Sequence, residues 1–193
     1  MSVPVPSLLL DFIREGDKFL LAGHKEPDGD CIGSQLALAS VLRRMGKEAV
    51  LCSAGPFKRP ELFPYADRFT AEINETDRSG ARVIIADCSG PDRTGDLEPC
   101  LRGLPLAVID HHVTGGPWDG AVVFLDVKAP STTFMVFALI EALGLEPTKE
   151  EAEYLFFGLC TDTGFFRHLD HTGSETFRRA ARMVDLGVSP RLT

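Results

Sequence analysis

The chain has 193 residues, enough for one ordinary domain, and its 44% hydrophobic and 25% charged content belongs to a protein with a real core rather than to a disordered one. A formal charge of −8 argues against a broad nucleic-acid footprint, which needs a basic face. It does not argue against a small phosphorylated ligand, because a bound cation reverses the local field of an acidic cleft.

Ser7 to Glu15 reads as a short amphipathic helix, with Pro6 near its start and Gly16 past its end. Lys18 to Ala22 is an apolar run suited to a buried strand, and Gly23 to Asp30 is a loop of glycines, a proline and three acids. From Cys31 to Met45 the apolar residues recur at helical spacing, and Gly46 follows as a stop. Glu48 to Cys52 predicts a strand, and Arg59 to Ala66 a short helix entered through Pro60. Arg82 to Ala86, Leu104 to Ile109 and Ala121 to Leu125 predict three more strands. Three helices are expected last, over Ser131 to Leu143, Lys149 to Gly158 and Gly173 to Leu186.

Strands alternating with helices predict an α/β fold, a Rossmann-like, mostly parallel sheet with helices on both faces. In such sheets ligands bind at the carboxyl ends of the strands. The residues found there are Asp and His. After Ala22 come His24, Asp28 and Asp30; after Ala86 comes Asp87; after Ile109 come Asp110, His111 and His112. Asp162 follows where the second of the last three helices is expected to break.

Taken singly, Asp28-Gly29-Asp30 is a turn, Asp30 and Ser34 are helix caps, and Asp87 and Asp162 are turn residues. Adjacent histidines after a buried strand have no packing reason, and independent turns would not all choose Asp or His at strand ends. Carboxylates and imidazoles gathered together repel or desolvate one another unless a cation sits among them. Groups gathered in this way suit two divalent ions sharing a carboxylate and acting on phosphorus. Mixed carboxylate and imidazole ligands without thiolate favour Mn²⁺ or Mg²⁺.

Cys31, Cys52, Cys88, Cys100 and Cys160 are scattered and odd in number, neither a disulfide framework nor a zinc-ribbon spacing. Cys31, Cys88 and Cys160 border motifs and read as small apolar fillers. Arg93 and Arg167 follow motif segments and could hold a phosphate, as could Ser34; His168 and His171 read as surface or substrate-side groups. Gly115-Gly116 reads as a turn. The opening residues carry no basic region of a secretory signal, and Phe134 to Ile140, the longest apolar stretch, is too short to span a bilayer. A cytoplasmic setting is expected.

These residues resemble the DHH phosphoesterase superfamily through four motifs: His24-Lys25-Glu26-Pro27-Asp28-Gly29-Asp30-Cys31-Ile32-Gly33-Ser34, Asp87-Cys88-Ser89, Asp110-His111-His112 and Gly158-Leu159-Cys160-Thr161-Asp162-Thr163-Gly164. The resemblance implies that His24, Asp28 and Asp87 hold one metal, and Asp30, Asp87, His111 and Asp162 the other, with Asp87 bridging. It implies that His112 contacts the phosphate, that Asp110 orients neighbouring ligands, and that Mn²⁺ or Mg²⁺ is the cofactor. Within the superfamily the chain is most similar to the nanoRNase/pAp-phosphatase branch. That branch implies hydrolysis of short oligonucleotides or 3′-phosphoadenosine 5′-phosphate by two-metal activation of water. Family II pyrophosphatase shares the motifs, and a metal-holding nucleotide-binding module without turnover is the third reading. The implied partners are a small nucleotide or short oligonucleotide, with no membrane and no extended duplex; a homodimer is allowed.

Two departures bear on substrate. Val113 and Thr114 follow the histidines where the branch commonly has Asn, and Phe134 stands where many relatives have an acid. The resemblance implies one DHH catalytic domain over residues 1–193, ending where the interdomain linker begins, because the Gly-rich, His-containing loop of a DHH-associated domain is not found.

Overall fold

The β-branched run Arg82–Ala86 (β3) occupies the centre of a sheet in a computed structural model that describes residues 4–113, 116, 118–171 and 173–191. Its neighbours are Lys18–Ala22 (β1), Glu48–Leu51 (β2), Leu106–Asp110 (β4) and Val122–Leu125 (β5). The order is β2-β1-β3-β4-β5 and every pairing is parallel. Such strands are buried on both faces, which explains why they read as continuous apolar runs rather than alternating ones.

Ala22 pairs with Ile85, and Ala86 with Ile109. Each strand therefore ends one residue short of the next, and the polar residues after each leave the sheet along one edge.

Successive strand residues feed two apolar clusters. Phe19, Leu21, Ile84, Ala107 and Ile109 join the cluster that contains the apolar residues of α1 (Ser7–Glu15), α2 (Gly29–Arg44), α5 (Thr132–Ala142), α6 (Lys149–Asp162) and α7 (Ser174–Asp185). Leu20, Ala22, Val83, Ile85 and Val108 join the second cluster with Leu97, Leu101 and Trp118. Both faces are thus covered, one by the long helices and the other mainly by short segments, among them α4 (Glu98–Leu101).

Helix α6 differs from expectation. It runs four residues past Gly158, to Asp162, because Gly158 makes a helix contact and does not stop the helix. A Cβ there would collide with Thr133 and come to 3.0 Å from the Cα of Asp30. At Gly33 a Cβ would stand 2.5 Å from the carbonyl oxygen of Tyr154. The two glycines let α2, α5 and α6 approach closely beside Asp30. The first turn of α6 is fixed by a capping box, in which Thr148 and Glu151 exchange side-chain to backbone hydrogen bonds. Buried Glu151 also accepts from Ser40 (2.8 Å) and lies 3.3 Å from Arg44, tying the far end of α2 to α6.

Two four-residue helices, α3 (Glu75–Arg78) and α4, were not expected; runs so short carry no apolar periodicity. The helix expected from Arg59 is a 3₁₀ segment, Pro60–Arg68. The turn expected at Gly115-Gly116 falls at Gly115 outside the described residues. Among the described residues, no helix is long and apolar enough to cross a membrane.

Candidate metal centre

The loop after β1 brings His24 to the carboxyl edge and fixes its tautomer. Nδ1–H donates to the carbonyl of Lys25 (2.9 Å), which leaves Nε2 facing Asp87 Oδ2 at 3.4 Å and Asp28 Oδ1 at 3.7 Å. Asp28 is the N-cap of α2, accepting from the backbone N–H groups of Asp30 and Cys31, both at 3.1 Å.

Asp30 does not cap its own helix. It points across to α5, where its carboxylate accepts from the N–H of Thr132 (2.6 Å) and from the N–H (2.8 Å) and hydroxyl (2.6 Å) of Thr133. Asp87 follows β3 at φ 67°, a left-handed conformation that Asp tolerates better than most residues. It is almost wholly buried and accepts from the Thr132 hydroxyl at 3.0 Å.

After β4, Asp110 accepts from the Ser89 hydroxyl on one oxygen. On the other it accepts from the N–H (3.1 Å) and Nδ1–H (2.8 Å) of His112. His111 donates from Nδ1 to the carbonyl of Ala129 (3.1 Å). Its Nε2 then faces Asp162 at 3.4 Å, Asp87 at 3.6 Å and Asp30 at 3.9 Å, buried and with no hydrogen-bond partner.

The crowding shows in the proton affinities. Burial and the neighbouring Asp30 carboxylate raise Asp87 well above the usual carboxylate range, and the same causes bring Asp162 to about 6. Its hydrogen bond to Asp110 raises His112 to about 9, although burial opposes this. On Asp28 burial acts upward, but the bonds from His24 and the Cys31 N–H win and hold it at about 2. Burial likewise opposes charge on His24, yet Cys31, Asp28 and Asp87 raise its proton affinity.

Among the described residues, three sets of donors lie within 4.8 Å of one another: His24, Cys31 and Asp87; Asp87, His111 and His112; and Asp30, His111 and Asp162. Asp87 belongs to two sets, as a bridging carboxylate must. The residues fit divalent cations: an orphaned, buried imidazole nitrogen faces three carboxylates, two of which burial pushes toward neutrality.

All six expected ligands converge on this edge, together with His112, expected to contact phosphate, and Asp110, expected to orient its neighbours. Ser34 does not. It is fully buried within the packing of α2, its Oγ meets no partner, and it cannot reach a substrate. Arg93 is exposed, and its carbonyl accepts the N–H of Lys25 (2.7 Å) beside His24; Arg167 is exposed on the turn after α6. Sequence reasoning missed Thr132, Thr133, Ser89, Cys31 and half-exposed Arg59, which lies 3.9 Å from Asp28. Cys31 and Ser89 stand inside the quoted motifs, next to Asp30 and two residues after Asp87, but nothing in the sequence shows what either side chain touches.

Residues 18–159 match the DHH family, N-terminal domain. The chain belongs to the DHH family. This DHH domain is 34% identical over 168 residues to the bifunctional oligoribonuclease and PAP phosphatase NrnA of Thermus thermophilus, covering 87% of this chain and 50% of that protein. The Bacillus subtilis protein of the same name is 28% identical over 171 residues, covering 87% of this chain and 53% of that one. A manganese-dependent inorganic pyrophosphatase of Methanothrix thermoacetophila is 24% identical, covering 78% of this chain and 49% of that one. The chain spans about half the length of the curated relatives it matches. A crystal structure of an exopolyphosphatase-related protein from Bacteroides fragilis superposes with a TM-score of 0.84 at 22% identity, over 99% of this chain and 60% of that one, and shares the fold.

Proposed function

We propose that this DHH domain hydrolyses phosphoester bonds in short oligonucleotides or 3′-phosphoadenosine 5′-phosphate with the help of two divalent cations. The observation that carries the reading is Asp87, a buried carboxylate common to two donor sets. His24, Asp28 and Asp87 would hold one cation, and Asp30, Asp87, His111 and Asp162 the other, for which Mn²⁺ or Mg²⁺ suits the carboxylate-rich surroundings. Cations bound there supply Lewis acidity, lowering the pKa of a water and neutralising phosphoryl oxygens.

The chain's own groups do the rest. His112, kept protonated by Asp110 and with Nδ1 engaged, can donate from Nε2 to a phosphoryl oxygen. Asp110, pinned by Ser89, sets the direction of that ring. Exposed Arg59, Arg93 and Arg167 are available to a phosphate at the rim, as bidentate donors. The acidic balance of the chain supports a small substrate over a long strand. Five free cysteines support a reducing setting such as the cytoplasm.

The test is hydrolysis by metal-stripped protein with and without Mn²⁺, followed as phosphate release from 3′-phosphoadenosine 5′-phosphate and pyrophosphate and as mononucleotide formation from a dinucleotide. Mn²⁺-dependent hydrolysis of 3′-phosphoadenosine 5′-phosphate or the dinucleotide, abolished in Asp87→Ala, is expected. Failure to bind Mn²⁺, or unchanged binding in Asp87→Ala, would sink the reading. The likeness to the manganese-dependent pyrophosphatase favours a second reading, in which pyrophosphate is the substrate turned over.

A further inference from the structure

The donor set around His24 does not contain Asp28. Its third member is Cys31, whose Sγ lies within 4.8 Å of the ligand atoms of both His24 and Asp87, while its side chain is closed to solvent. Three separate elements converge there: the loop after β1, the first turn of α2 and the residue after β3.

The surroundings accommodate sulfur. A Cβ on Gly23 would collide with the Cys31 Sγ, so the glycine at the end of β1 leaves the volume that the sulfur fills. Gln35, one turn along α2, donates from Nε2 to Sγ at 3.4 Å and holds the side chain in place. A cysteine that served only as apolar filler would need neither the N–H···S contact nor a place among metal-ligating atoms.

We propose that Cys31 is a thiolate ligand to the cation held by His24 and Asp87, giving this position a preference for thiophilic divalent ions such as Zn²⁺, Co²⁺ or Fe²⁺ over Mg²⁺. The inference rests on the two-cation reading of the centre. Coordination forms a sulfur–metal bond and releases the thiol proton to solvent. The second position, built on Asp30, His111 and Asp162, has oxygen and nitrogen donors and stays suited to Mn²⁺ or Mg²⁺. The two positions of one centre would then differ in metal preference.

Cobalt reports on both claims separately. Metal-stripped protein titrated with Co²⁺ is expected to develop visible d–d bands together with a near-ultraviolet thiolate-to-cobalt charge-transfer band. The charge-transfer band should vanish in Cys31→Ala and persist in Cys100→Ala, a cysteine on α4 away from the centre. Zn²⁺ affinity should fall by about tenfold or more in Cys31→Ala, while Mg²⁺ affinity stays put. Bands from d–d transitions without charge transfer in the wild type, or a charge-transfer band that survives Cys31→Ala, would overturn the Cys31 assignment alone. No cobalt spectrum at all would overturn the two-cation reading and this inference with it. The wild-type spectrum decides even if Cys31→Ala fails to fold.

Discussion

Asp30 and Thr133 are joined by two hydrogen bonds across the start of two helices: the carboxylate of Asp30 on α2 accepts both the N–H and the hydroxyl of Thr133 on α5. An acid at the beginning of one helix thereby closes the N-terminus of another, 103 residues away in sequence. The same carboxylate faces His111, so helix packing and the geometry of the candidate site depend on one side chain.

Replacing Thr133 with Val keeps the methyl group that packs against Gly158 and exchanges the hydroxyl, which bonds Asp30 and Ser131, for a second methyl. A buried carboxylate left short of one donor should cost about 1–3 kcal/mol of stability, read as a lower urea midpoint. Mn²⁺ affinity should fall with it, by roughly 10–100-fold, because the ligand loses an orienting partner. A variant with the wild-type midpoint and affinity would contradict the coupling.

Gly158→Ala tests the close approach of the helices. Alanine is the better helix former by about 1 kcal/mol, but its methyl would meet Thr133 and the Asp30 backbone. Overpacking should win, for a net loss of about 1–3 kcal/mol in denaturant unfolding. A stabilised variant would mean that the helices can part without cost.

Cation binding should expel protons. Asp162 at about 6, with Asp87 and His24 both raised, means that the cation-free centre holds protons near neutral pH. A cation takes the place of those protons, so affinity must rise as pH rises, by roughly tenfold per pH unit for each proton displaced. Calorimetric Mn²⁺ titrations in buffers of different ionisation enthalpy should show net release into the buffer. An affinity flat between about pH 5 and pH 8 would refute it.

Asp110→Asn should lower the pKa of His112 from about 9 toward the ordinary histidine value, since its hydrogen bond to Asp110 is the main cause of the elevation. Turnover should fall by about 10²–10⁴-fold above the new pKa, where the ring is neutral. An NMR titration of His112 checks the first outcome and a pH–rate profile the second. An unshifted His112 would remove Asp110 from the role of positioning it.

The sheet and the gathering of Asp and His residues at its carboxyl edge were legible in the sequence because both follow from short-range order. Apolar runs such as Val83-Ile84-Ile85-Ala86 announce strands, and the Asp or His after each run announces the edge where they meet. What was illegible depends on partners far apart in the chain. Thr132 and Thr133 look like ordinary first-turn residues until Asp30 is brought to them. Gly158 resembles a helix stop until α5 lies against it, and Ser34 resembles a substrate contact until the packing of α2 buries it. Cys31 was read as filler because a sulfur beside a motif has no meaning without knowing which way the first turn of α2 faces.

Gly33 and Gly158 have a consequence for how this protein could change. With three helices in contact beside Asp30, the centre has no slack, and a saturation mutagenesis screen should divide the chain in two. Positions along α2, α5 and α6 facing one another should tolerate almost nothing, whereas the exposed segments bearing Arg59, Arg93 and Arg167 should accept wide replacement without unfolding. New substrate preferences, natural or engineered, would therefore arise at the rim, around a chemical core that stays fixed.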